Sequence, residues 1–312
     1  MKAAQIHAYG GSEALEIIEV TLPEPQPNQV LVEVQAAAIN PFDTKILSGI
    51  YKDNIPLEFP VTLGGDFAGR LIKTGSGVTD LKAGDDVYGT AMVLSGGSGA
   101  FAEMALARAT NAALMPRSAN YEEAAASVLV AVSALQALEE HMKLESAQKI
   151  LIHGGAGGIG HAAIQLAKSM GAYVAATAGS KDQEFVRQLG ADKVIDYRTE
   201  AFETLGTDFD AVFDPVGGEV TDKSFTVLKK GGVLVSMMGQ PSEELAKKYG
   251  VQAVGQRTKT NRKHLNRLTE LVDAGKIKVH IDRVFPLDRI KLAIDHQKKG
   301  HPRGKVVLKM VE

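Results

Sequence analysis

The chain of 312 residues contains no cysteine. This absence excludes disulfide bonds, thiolate nucleophiles and every zinc site that uses cysteine ligands. A surplus of one charge sign is also lacking, since 35 Lys and Arg stand against 37 Asp and Glu, for a net charge of −2. A general nucleic-acid-binding protein normally carries a basic surplus, so this balance argues against that class.

Long apolar runs are absent as well. The longest uncharged apolar run, residues 124–138, has 15 residues, fewer than the roughly 20 that span a bilayer. No apolar segment that suits a signal peptide follows Met1 and Lys2. We therefore expect a soluble, cytoplasmic protein without membrane partners.

Length and pattern predict two domains, because one hydrophobic core stops growing at about 250–300 residues. Residues 1–121 contain short strands punctuated by glycine, which is typical of a small barrel-type β-domain. Residues 122–275 alternate strands and helices, which predicts an α/β fold with a doubly wound parallel sheet. Residues 276–312 return to strand character and are expected to complete the first domain. Six strands are predicted in the second domain, at residues 150–152, 172–177, 193–195, 211–213, 232–237 and 251–254.

One glycine motif indicates a ligand-binding turn. Its sequence is Gly155-Ala156-Gly157-Gly158-Ile159-Gly160. It matches G-x-G-x-x-G between a predicted strand and a predicted helix, which is the context of a dinucleotide-binding turn. Gly155 would permit the tight turn, Gly157 the close approach of a pyrophosphate, and Gly160 the packing of helix on strand. The alternative is a glycine-rich turn that binds nothing.

The end of the second predicted strand bears on the choice of cofactor. A protein that prefers NAD usually has an acid about 20 residues after the motif begins. Residues 177–179 contain no acid, and Gly179 precedes Ser180 and Lys181, a hydroxyl and a cation that suit a 2′-phosphate. Ser180 could instead cap a helix and Lys181 could be a solvated charge, while Asp182 fits the next helix. The sequence favours NADPH over NADH.

Several further segments resemble those of a known protein family, and the resemblance covers nearly the whole chain. In the first domain they are residues 38–43 (AINPFD), 63–69 (LGGDFAG), 84–89 (GDDVYG) and 99–103 (GAFAE). Beyond it they are residues 153–160 (HGGAGGIG), 189–197 (LGADKVIDY), 214–218 (DPVGG) and 303–308 (RGKVVL). With these segments the chain resembles the medium-chain dehydrogenase/reductase superfamily, in its zinc-free quinone oxidoreductase branch, which is related to zeta-crystallin.

This resemblance implies a GroES-like domain, a Rossmann domain and an NADPH-binding cleft between them. It implies no catalytic zinc, because Asn40 and Gly65 occupy positions at which zinc-bearing relatives have Cys and His. The four-cysteine structural zinc lobe is absent too. A homodimer, formed through edge strands near residues 251–254, is also implied.

Individual site residues follow from the same resemblance. Asn40 would face the nicotinamide ribose, Ser133 would touch the nicotinamide, and Tyr51 would line the substrate cleft. Lys45 stands where some relatives have a second cleft tyrosine. Ordinary barrel packing for Tyr51 and a solvated charge for Lys45 are the alternatives, and His153 is expected to be a packed residue rather than a catalytic one.

The adenosine 2′-phosphate would lie near Tyr197 and Ser180. The lysine that the family has in this region aligns with Gln183 rather than with Lys181, so the phosphate-binding cation stays open. The remaining expected cofactor contacts are Gly179, Val216, Gly217 and Arg303.

The expected function is NADPH-dependent, zinc-independent reduction of quinones or of α,β-unsaturated carbonyl compounds. Without a metal to lower its pKa, a simple alcohol is a poor substrate, whereas a conjugated acceptor delocalises the charge that hydride brings. Tyr51 and Lys45 are the candidate catalytic residues, as donors to the developing oxyanion. A non-catalytic NADPH-binding sensor or crystallin-like protein, and an enoyl reductase of a synthase pathway, stay open as alternatives.

Overall fold

The computed structural model describes residues 1–21, 24–299 and 301–310. The strands in this part of the chain are β1 Lys2–Ile6, β2 Glu16–Glu19, β3 Gln29–Ile39, β4 Val61–Thr62, β5 Asp66–Thr74, β6 Asp86–Thr90, β7 Met104–Arg108, β8 Ala112–Leu114, β9 Lys149–Ile152, β10 Tyr173–Ala178, β11 Lys193–Asp196, β12 Phe209–Asp214, β13 Leu228–Ser236, β14 Gln252–Gly255, β15 Ile281–Pro286 and β16 Lys305–Lys309. The α-helices are α1 Pro41–Leu47, α2 Tyr121–Leu135, α3 Gly158–Ser169, α4 Gln183–Gln188, α5 Glu219–Ser224, α6 Glu243–Tyr249, α7 Arg262–Asp273 and α8 Ile290–Lys299. Of these described helices, none has the length and apolar character needed to cross a membrane.

The described chain divides into two compact units. The first unit consists of Met1–Leu129, Thr260–Gly275 and Val279–Glu312, and the second of Val130–Lys259 and Lys276–Lys278.

The first unit is built mainly from antiparallel strands. Its larger sheet has the order β15-β16-β3-β5-β6-β8, with β7 also paired to β3, and its smaller sheet has the order β2-β1-β4. The long strand β3 is almost wholly buried and contributes Val30, Val32 and Val34 to the core of this unit. The predominantly β character predicted for residues 1–121 is therefore confirmed.

The C-terminal strand β16 lies between β15 and β3. It pairs antiparallel with β3, so that Val306 is opposite Ile39 and Leu308 is opposite Ala37. The side chains of Val306 and Leu308 are buried in the same core as those of β3. The tail thus joins the sheet of the first unit, as its strand character predicts.

The second unit contains a six-stranded sheet of order β11-β10-β9-β12-β13-β14. All neighbouring strands in it are parallel. The chain starts at the centre with β9, builds outward to β11, and then crosses to β12, which makes β9 and β12 the switch point where ligands bind in such sheets. The predicted doubly wound α/β fold is confirmed, and each of the six predicted strands overlaps an observed one.

Helix α7 lies in a different unit from the one expected. The sequence assigns residues 260–275 to the second domain, whereas the structure includes them in the first unit. The hydroxyl of buried Tyr88 donates to the carbonyl of Leu265 at 2.6 Å. The Arg262 Nε donates to the carbonyl of Ala112 at 2.8 Å. These contacts between residues far apart in the chain attach α7 to β6 and β8. No local pattern in the sequence predicts them.

Candidate functional site

The glycine turn links β9 to α3 in the second unit. Within this turn, Gly154 has a left-handed backbone, at φ +61°. The N–H of Gly155 donates to the carbonyl of Thr177 at 2.8 Å, and the N–H of Gly157 donates to the carbonyl of Gly154 at 3.0 Å. The turn is therefore held between its own backbone and the neighbouring strand β10.

The glycines of the motif are required for different reasons. A Cβ on Gly160 would lie 2.2 Å from the Gly154 carbonyl oxygen, so only glycine allows α3 to pack this closely on the turn. A Cβ on Gly155 would lie 3.0 Å from Ile164 Cδ1 and 3.2 Å from Ala176 Cβ, which is tight. Gly157 has an ordinary φ of −76°. Its Cβ would meet only the Gly154 oxygen, at 3.4 Å.

No contact among the described residues therefore requires glycine at position 157, whereas a pyrophosphate that approaches the backbone would. Gly157 is also the N-cap of α3, and no side chain caps this helix. The first-turn residues Gly158, Ile159 and Gly160 present their N–H groups at the positive end of the helix dipole, and Ala156 completes the turn. The segment fits the diphosphate of a dinucleotide.

A second group of polar residues lies at the carboxyl ends of β10 and β11. The two strands are parallel, with Ala178 opposite Asp196. A Cβ on Gly179 would lie 3.5 Å from the Tyr197 hydroxyl and 3.7 Å from Arg198 Cζ. The guanidinium of Arg198 also lies over the Tyr197 ring, 5.6 Å from its centroid. The structure thus brings Gly179, Tyr197 and an exposed arginine together.

Arg198 is a residue that the sequence analysis missed. Its guanidinium has no ion pair among the described residues, and its ring partner Tyr197 is 58% exposed. The signal was available, because two parallel neighbouring strands end at the same edge of a sheet, and Arg198 follows β11 by two residues. Arg198 places an exposed cation beside Gly179, where the sequence offered only Lys181 or an unidentified residue.

Asp196 directly precedes Tyr197, and its carboxylate is already hydrogen-bonded within the protein. The carboxylate accepts hydrogen bonds from the Ser180 hydroxyl, from the Arg198 N–H at 3.1 Å and from Gln183 Nε2 at 3.2 Å. The Ser180 bond is the main reason that the pKa of Asp196 is lowered. Ser180 therefore donates its proton inward, and Asp196 is buried instead of facing outward to a ribose.

The loop after β12 lies against the glycine turn. The buried carboxylate of Asp214 accepts the N–H of Val216 at 2.8 Å and that of Gly217 at 3.0 Å. Val216 is 49% exposed, and its Cγ2 would be 3.1 Å from a Cβ on Gly154. Asp214 thereby holds two of the predicted cofactor contacts beside the glycine turn, at the switch point of the sheet.

His153 is a packed residue, as expected. It is buried between Thr177 and Ser224, with ring nitrogens 3.2 and 2.9 Å from their hydroxyl oxygens. Its ring meets Phe202 edge-on at 4.6 Å. Burial lowers the pKa of His153 to about 4, so the imidazole is neutral near pH 7.

Ser133 is fully buried, in a polar group that includes the end of β14. Its hydroxyl oxygen is 2.7 Å from that of Thr258, and its carbonyl accepts Gln256 Nε2 at 3.0 Å. Thr258 is the half-buried member of the hydroxyl pair. The Oε1 atom of Gln256 is buried without a hydrogen-bond partner, which is uncommon and leaves an acceptor unused. Gln256 and Thr258 were not foreseen, since no spacing in the sequence connects them with Ser133.

Asn40 lies in the first unit, between β3 and α1, and is 4% exposed. Its Nδ2 donates to Asp66 Oδ2 at 2.8 Å, and its Oδ1 accepts from Lys305 Nζ. In the sequence, Asp66 and Lys305 stand out only as members of family motifs, and no local pattern gives either of them a role.

Tyr51 and Lys45, the candidate catalytic residues, also belong to the first unit. The Tyr51 ring is tilted against Phe42, with centroids 5.9 Å apart, and packs on the core of this unit. Lys45 lies in α1 and is half-buried. Within the described part of the chain, neither the Tyr51 hydroxyl nor the Lys45 ammonium has a hydrogen-bond partner. Packing therefore accounts for the Tyr51 ring, while the Tyr51 hydroxyl is available to donate a hydrogen bond.

Arg303 lies in the first unit, between α8 and β16, where its N–H donates to Asp282 Oδ1 at 3.2 Å. Lys181 lies in a short turn between β10 and α4 and is exposed. No group of three or more His, Asp or Glu side chains among the described residues could hold a metal ion.

Comparison with known proteins agrees with these features. A model of the alcohol dehydrogenase GroES-like domain matches residues 26–117, and a model of the zinc-binding dehydrogenase family matches residues 189–308. The chloroplast envelope quinone oxidoreductase homolog of Arabidopsis thaliana is 34% identical over 326 aligned residues, which cover 99% of this chain and 98% of that protein. The chloroplastic NADPH-dependent alkenal/one oxidoreductase of the same plant is 36% identical over 318 residues, covering 99% of this chain and 79% of that protein.

Among solved structures, the quinone oxidoreductase of Escherichia coli in complex with NADPH is 29% identical. It superposes with a TM-score of 0.88 and covers 99% of this chain and 100% of that one. The first unit accordingly holds a GroES-like domain and the second a Rossmann sheet. Two relatives more than 30% identical over nearly the whole chain, together with both domain models, show that the chain belongs to the medium-chain dehydrogenase/reductase superfamily, in its quinone oxidoreductase branch.

Proposed function

We propose that this oxidoreductase uses NADPH to reduce quinones or α,β-unsaturated carbonyl compounds. The observation that carries the proposal is the glycine turn at residues 154–160, where a bound diphosphate would explain Gly157 and no contact with the described part of the chain does. The Rossmann unit would bind the cofactor, and the GroES-like unit would supply substrate-binding residues. Bound NADPH would supply the hydride, so the protein's own task is to bind and orient both molecules and to stabilise charge.

The preference for NADPH over NADH is supported by the residues beside Gly179. Arg198 is exposed, stacked on Tyr197 and without an ion pair among the described residues, so it can bind a phosphate in a planar, bidentate manner. The adjacent acid, Asp196, is buried and accepts three hydrogen bonds from within the protein, so we do not expect it to bind a ribose hydroxyl. Arg198 is therefore our candidate for the cation that reads the 2′-phosphate.

The acceptor class is supported by the side chains that the chain offers. It has no cysteine. The described His, Asp and Glu residues form no metal-binding group, so no ligand set for a Lewis acid is available to activate a simple alcohol. A conjugated carbonyl needs only a hydrogen-bond donor near the oxygen on which charge develops. Tyr51 and Lys45 are the candidate donors, because each lacks a partner within the described part of its unit.

A panel of acceptors tests this function directly. NADPH oxidation should be measured with a benzoquinone, an enal, an enone and an enoyl thioester, and NADP⁺ reduction with a saturated alcohol. We expect turnover of the quinone, enal or enone, and negligible alcohol oxidation. Since the chain lacks cysteine, these electrophiles cannot alkylate a protein thiol during the assay.

The same panel separates the alternatives. Turnover confined to the enoyl thioester would replace our proposal with an enoyl reductase. Tight NADPH binding without turnover of any acceptor would identify a non-catalytic nucleotide-binding protein. Alcohol oxidation without activity on any conjugated acceptor would overturn the proposed reaction class.

A homodimer remains part of the proposal, with β14 as the exposed edge of the Rossmann sheet. The side chain of Gln240 already bonds this strand, because it donates to the Ala253 carbonyl at 3.1 Å and accepts the Gly255 N–H at 2.9 Å. Pairing of two β14 strands would have to displace or accommodate Gln240. Light scattering coupled to size exclusion measures the molar mass, and a monomer at micromolar concentration would contradict the proposal.

A further inference from the structure

Polar side chains from distant parts of the first unit meet at the end of β3. Asn40, Asp43, Asp66 and Lys305 are 4%, 6%, 3% and 2% exposed, respectively. Lys305 Nζ donates to the Ile39 carbonyl at 2.8 Å and also to Asn40 Oδ1. Asp66 Oδ2 accepts from Asn40 Nδ2 at 2.8 Å. We call these four residues the Asn40 cluster.

The partners of Asn40 determine which way its side-chain amide is turned. An ammonium group can only donate hydrogen bonds, and a carboxylate can only accept them. Lys305 must therefore face the amide oxygen, and Asp66 must face the amide nitrogen. If the amide were flipped, its N–H groups would face the ammonium and its oxygen would face the carboxylate. The orientation of Asn40 is thus set by charge, independently of how the amide atoms are assigned.

The backbone of Asn40 is held as well. Its N–H donates to Asp43 Oδ2 at 2.7 Å, at the start of α1. The side-chain amide nitrogen carries two hydrogens, one of which is donated in the hydrogen bond to Asp66. The other has no acceptor among the described residues. Asn40 therefore presents a single donor from a fixed position.

Stability alone does not account for such a cluster. Burying ionised groups costs several kcal/mol each, and apolar residues of similar volume usually serve stability as well or better. The formal charges do not balance either, since two carboxyls face one ammonium. Burial raises the pKa of Asp43 to about 7 and also raises the pKa of Asp66. Burial also lowers the pKa of Lys305, and the two carboxyls oppose this shift. One proton held by the two carboxyls leaves a single carboxylate to balance the ammonium beside Asn40.

We propose that Lys305 and Asp66 are positioning residues for the nicotinamide end of the cofactor. They hold the Asn40 amide in one orientation, so that its second amide hydrogen is available to an acceptor oxygen of the bound nucleotide. This inference rests on the proposed function, because it takes NADPH as the ligand. It adds two residues that act through Asn40 and do not touch the ligand themselves.

The test compares two nucleotides by calorimetric titration. NADPH carries a nicotinamide end, whereas adenosine 2′,5′-bisphosphate does not. The double variant Lys305→Met/Asp66→Asn removes both charges together, so no unpaired charge stays buried and the amide loses its fixed orientation. We expect the Kd of NADPH to rise about tenfold, the loss of one well-placed hydrogen bond, and that of the bisphosphate to stay within about twofold.

Matched variants complete the test. Lys309→Met changes an exposed lysine of the same strand and should alter neither Kd. In an Asn40→Ala background, the double change should not raise the Kd of NADPH further, because its effect passes through Asn40. If the double variant unfolds, Lys305→Gln serves instead, since its amide can donate or accept, and we expect an increase of about threefold.

The outcomes are distinct. An unchanged Kd of NADPH in the folded cluster variants, an equal loss for both nucleotides, or full additivity with Asn40→Ala would each overturn the inference. If the unmodified protein binds neither nucleotide, the proposed function fails, and this inference fails with it.

Discussion

The glycine turn of the second unit and the Asn40 cluster of the first differ in how they hold polar groups ready for a ligand. In the turn, backbone N–H groups and a helix terminus do so, and no side chain caps α3. In the cluster, two carboxyls and an ammonium surround one amide in the protein interior. The turn is closely packed at Gly160 and should tolerate little added volume there, whereas the buried charged groups of the cluster should tolerate little change in charge.

The largest expected effect concerns charge in the cluster. Lys305→Met removes the ammonium and leaves Asp66 buried without compensation, so the free energy of unfolding should fall by about 3–5 kcal/mol. Urea unfolding monitored by circular dichroism measures it. Lys309→Met, on the exposed end of the same strand, should stay within about 0.5 kcal/mol of the unmodified protein. Equal stability of the two variants would show that the cluster is not sensitive to charge.

Adding a side chain to the glycine turn should have the next largest effect on stability. Gly160→Ala places a Cβ against the Gly154 carbonyl oxygen, and we expect a loss of about 1–3 kcal/mol in the free energy of unfolding. Gly157→Ala meets no such clash, so its stability should change by less than about 0.5 kcal/mol. Its Kd for NADPH should nevertheless rise at least about tenfold, because the methyl group occupies the space of the diphosphate. Unchanged NADPH binding by Gly157→Ala would remove the main support for the diphosphate site.

A third prediction concerns the Tyr51 hydroxyl as a hydrogen-bond donor to the reacting carbonyl oxygen. Tyr51→Phe keeps the ring that packs on Phe42 and removes only the hydroxyl. If this hydroxyl stabilises the developing oxyanion, kcat should fall about 10–100-fold while stability is retained. Steady-state kinetics with the best acceptor of the panel measures it. An unchanged kcat would reduce Tyr51 to a packing residue.

A fourth prediction concerns Arg198, an exposed cation of the second unit. Arg198→Met should raise the Kd of NADPH about tenfold and leave that of NADH unchanged, because only NADPH carries the 2′-phosphate. Lys193→Met, at the other end of β11, is the matched control and should change neither value. Parallel losses for both cofactors would mean that Arg198 supports the turn rather than reading the phosphate.

The smallest expected effect is a change in pH dependence. Burial raises the pKa of Asp43 to about 7, above the value of about 3.9 for a carboxyl in an unfolded chain. The native state then binds more protons than the unfolded state between these values, so Asp43 makes the free energy of unfolding decrease as pH rises from about 4 to 7. Asp66 and Lys305 are the charged groups that face it.

Asp43→Asn removes this proton uptake. The stability of the variant relative to the unmodified protein should therefore improve as pH is raised from 5 to 8, measured by thermal unfolding in a pH series. Asp53→Asn changes an exposed carboxyl and should show no such trend. A constant difference between Asp43→Asn and the unmodified protein would mean that Asp43 is already ionised at pH 5.

Local patterns in the sequence determined the strands and helices of the second unit and the position of the glycine turn. Strand and helix periodicity depends on neighbours a few residues apart, so the parallel α/β fold followed from it. The packing of His153, directly after β9, was likewise expected from the sequence. The left-handed conformation of Gly154 was beyond that reasoning, because it depends on the bonds of the turn with β10.

Only the tertiary structure decided the groupings that join distant segments. Lys305 bonds to Asn40 across 265 residues of sequence, and Arg198 reaches Gly179 only because β10 and β11 pair in a particular register. Helix α7 joins the first unit for the same kind of reason, through contacts with Tyr88 and Ala112. A sequence shows which residues can donate, accept or carry charge. Which of them meet in the interior is settled by strand pairing and burial, which act between residues far apart in the chain.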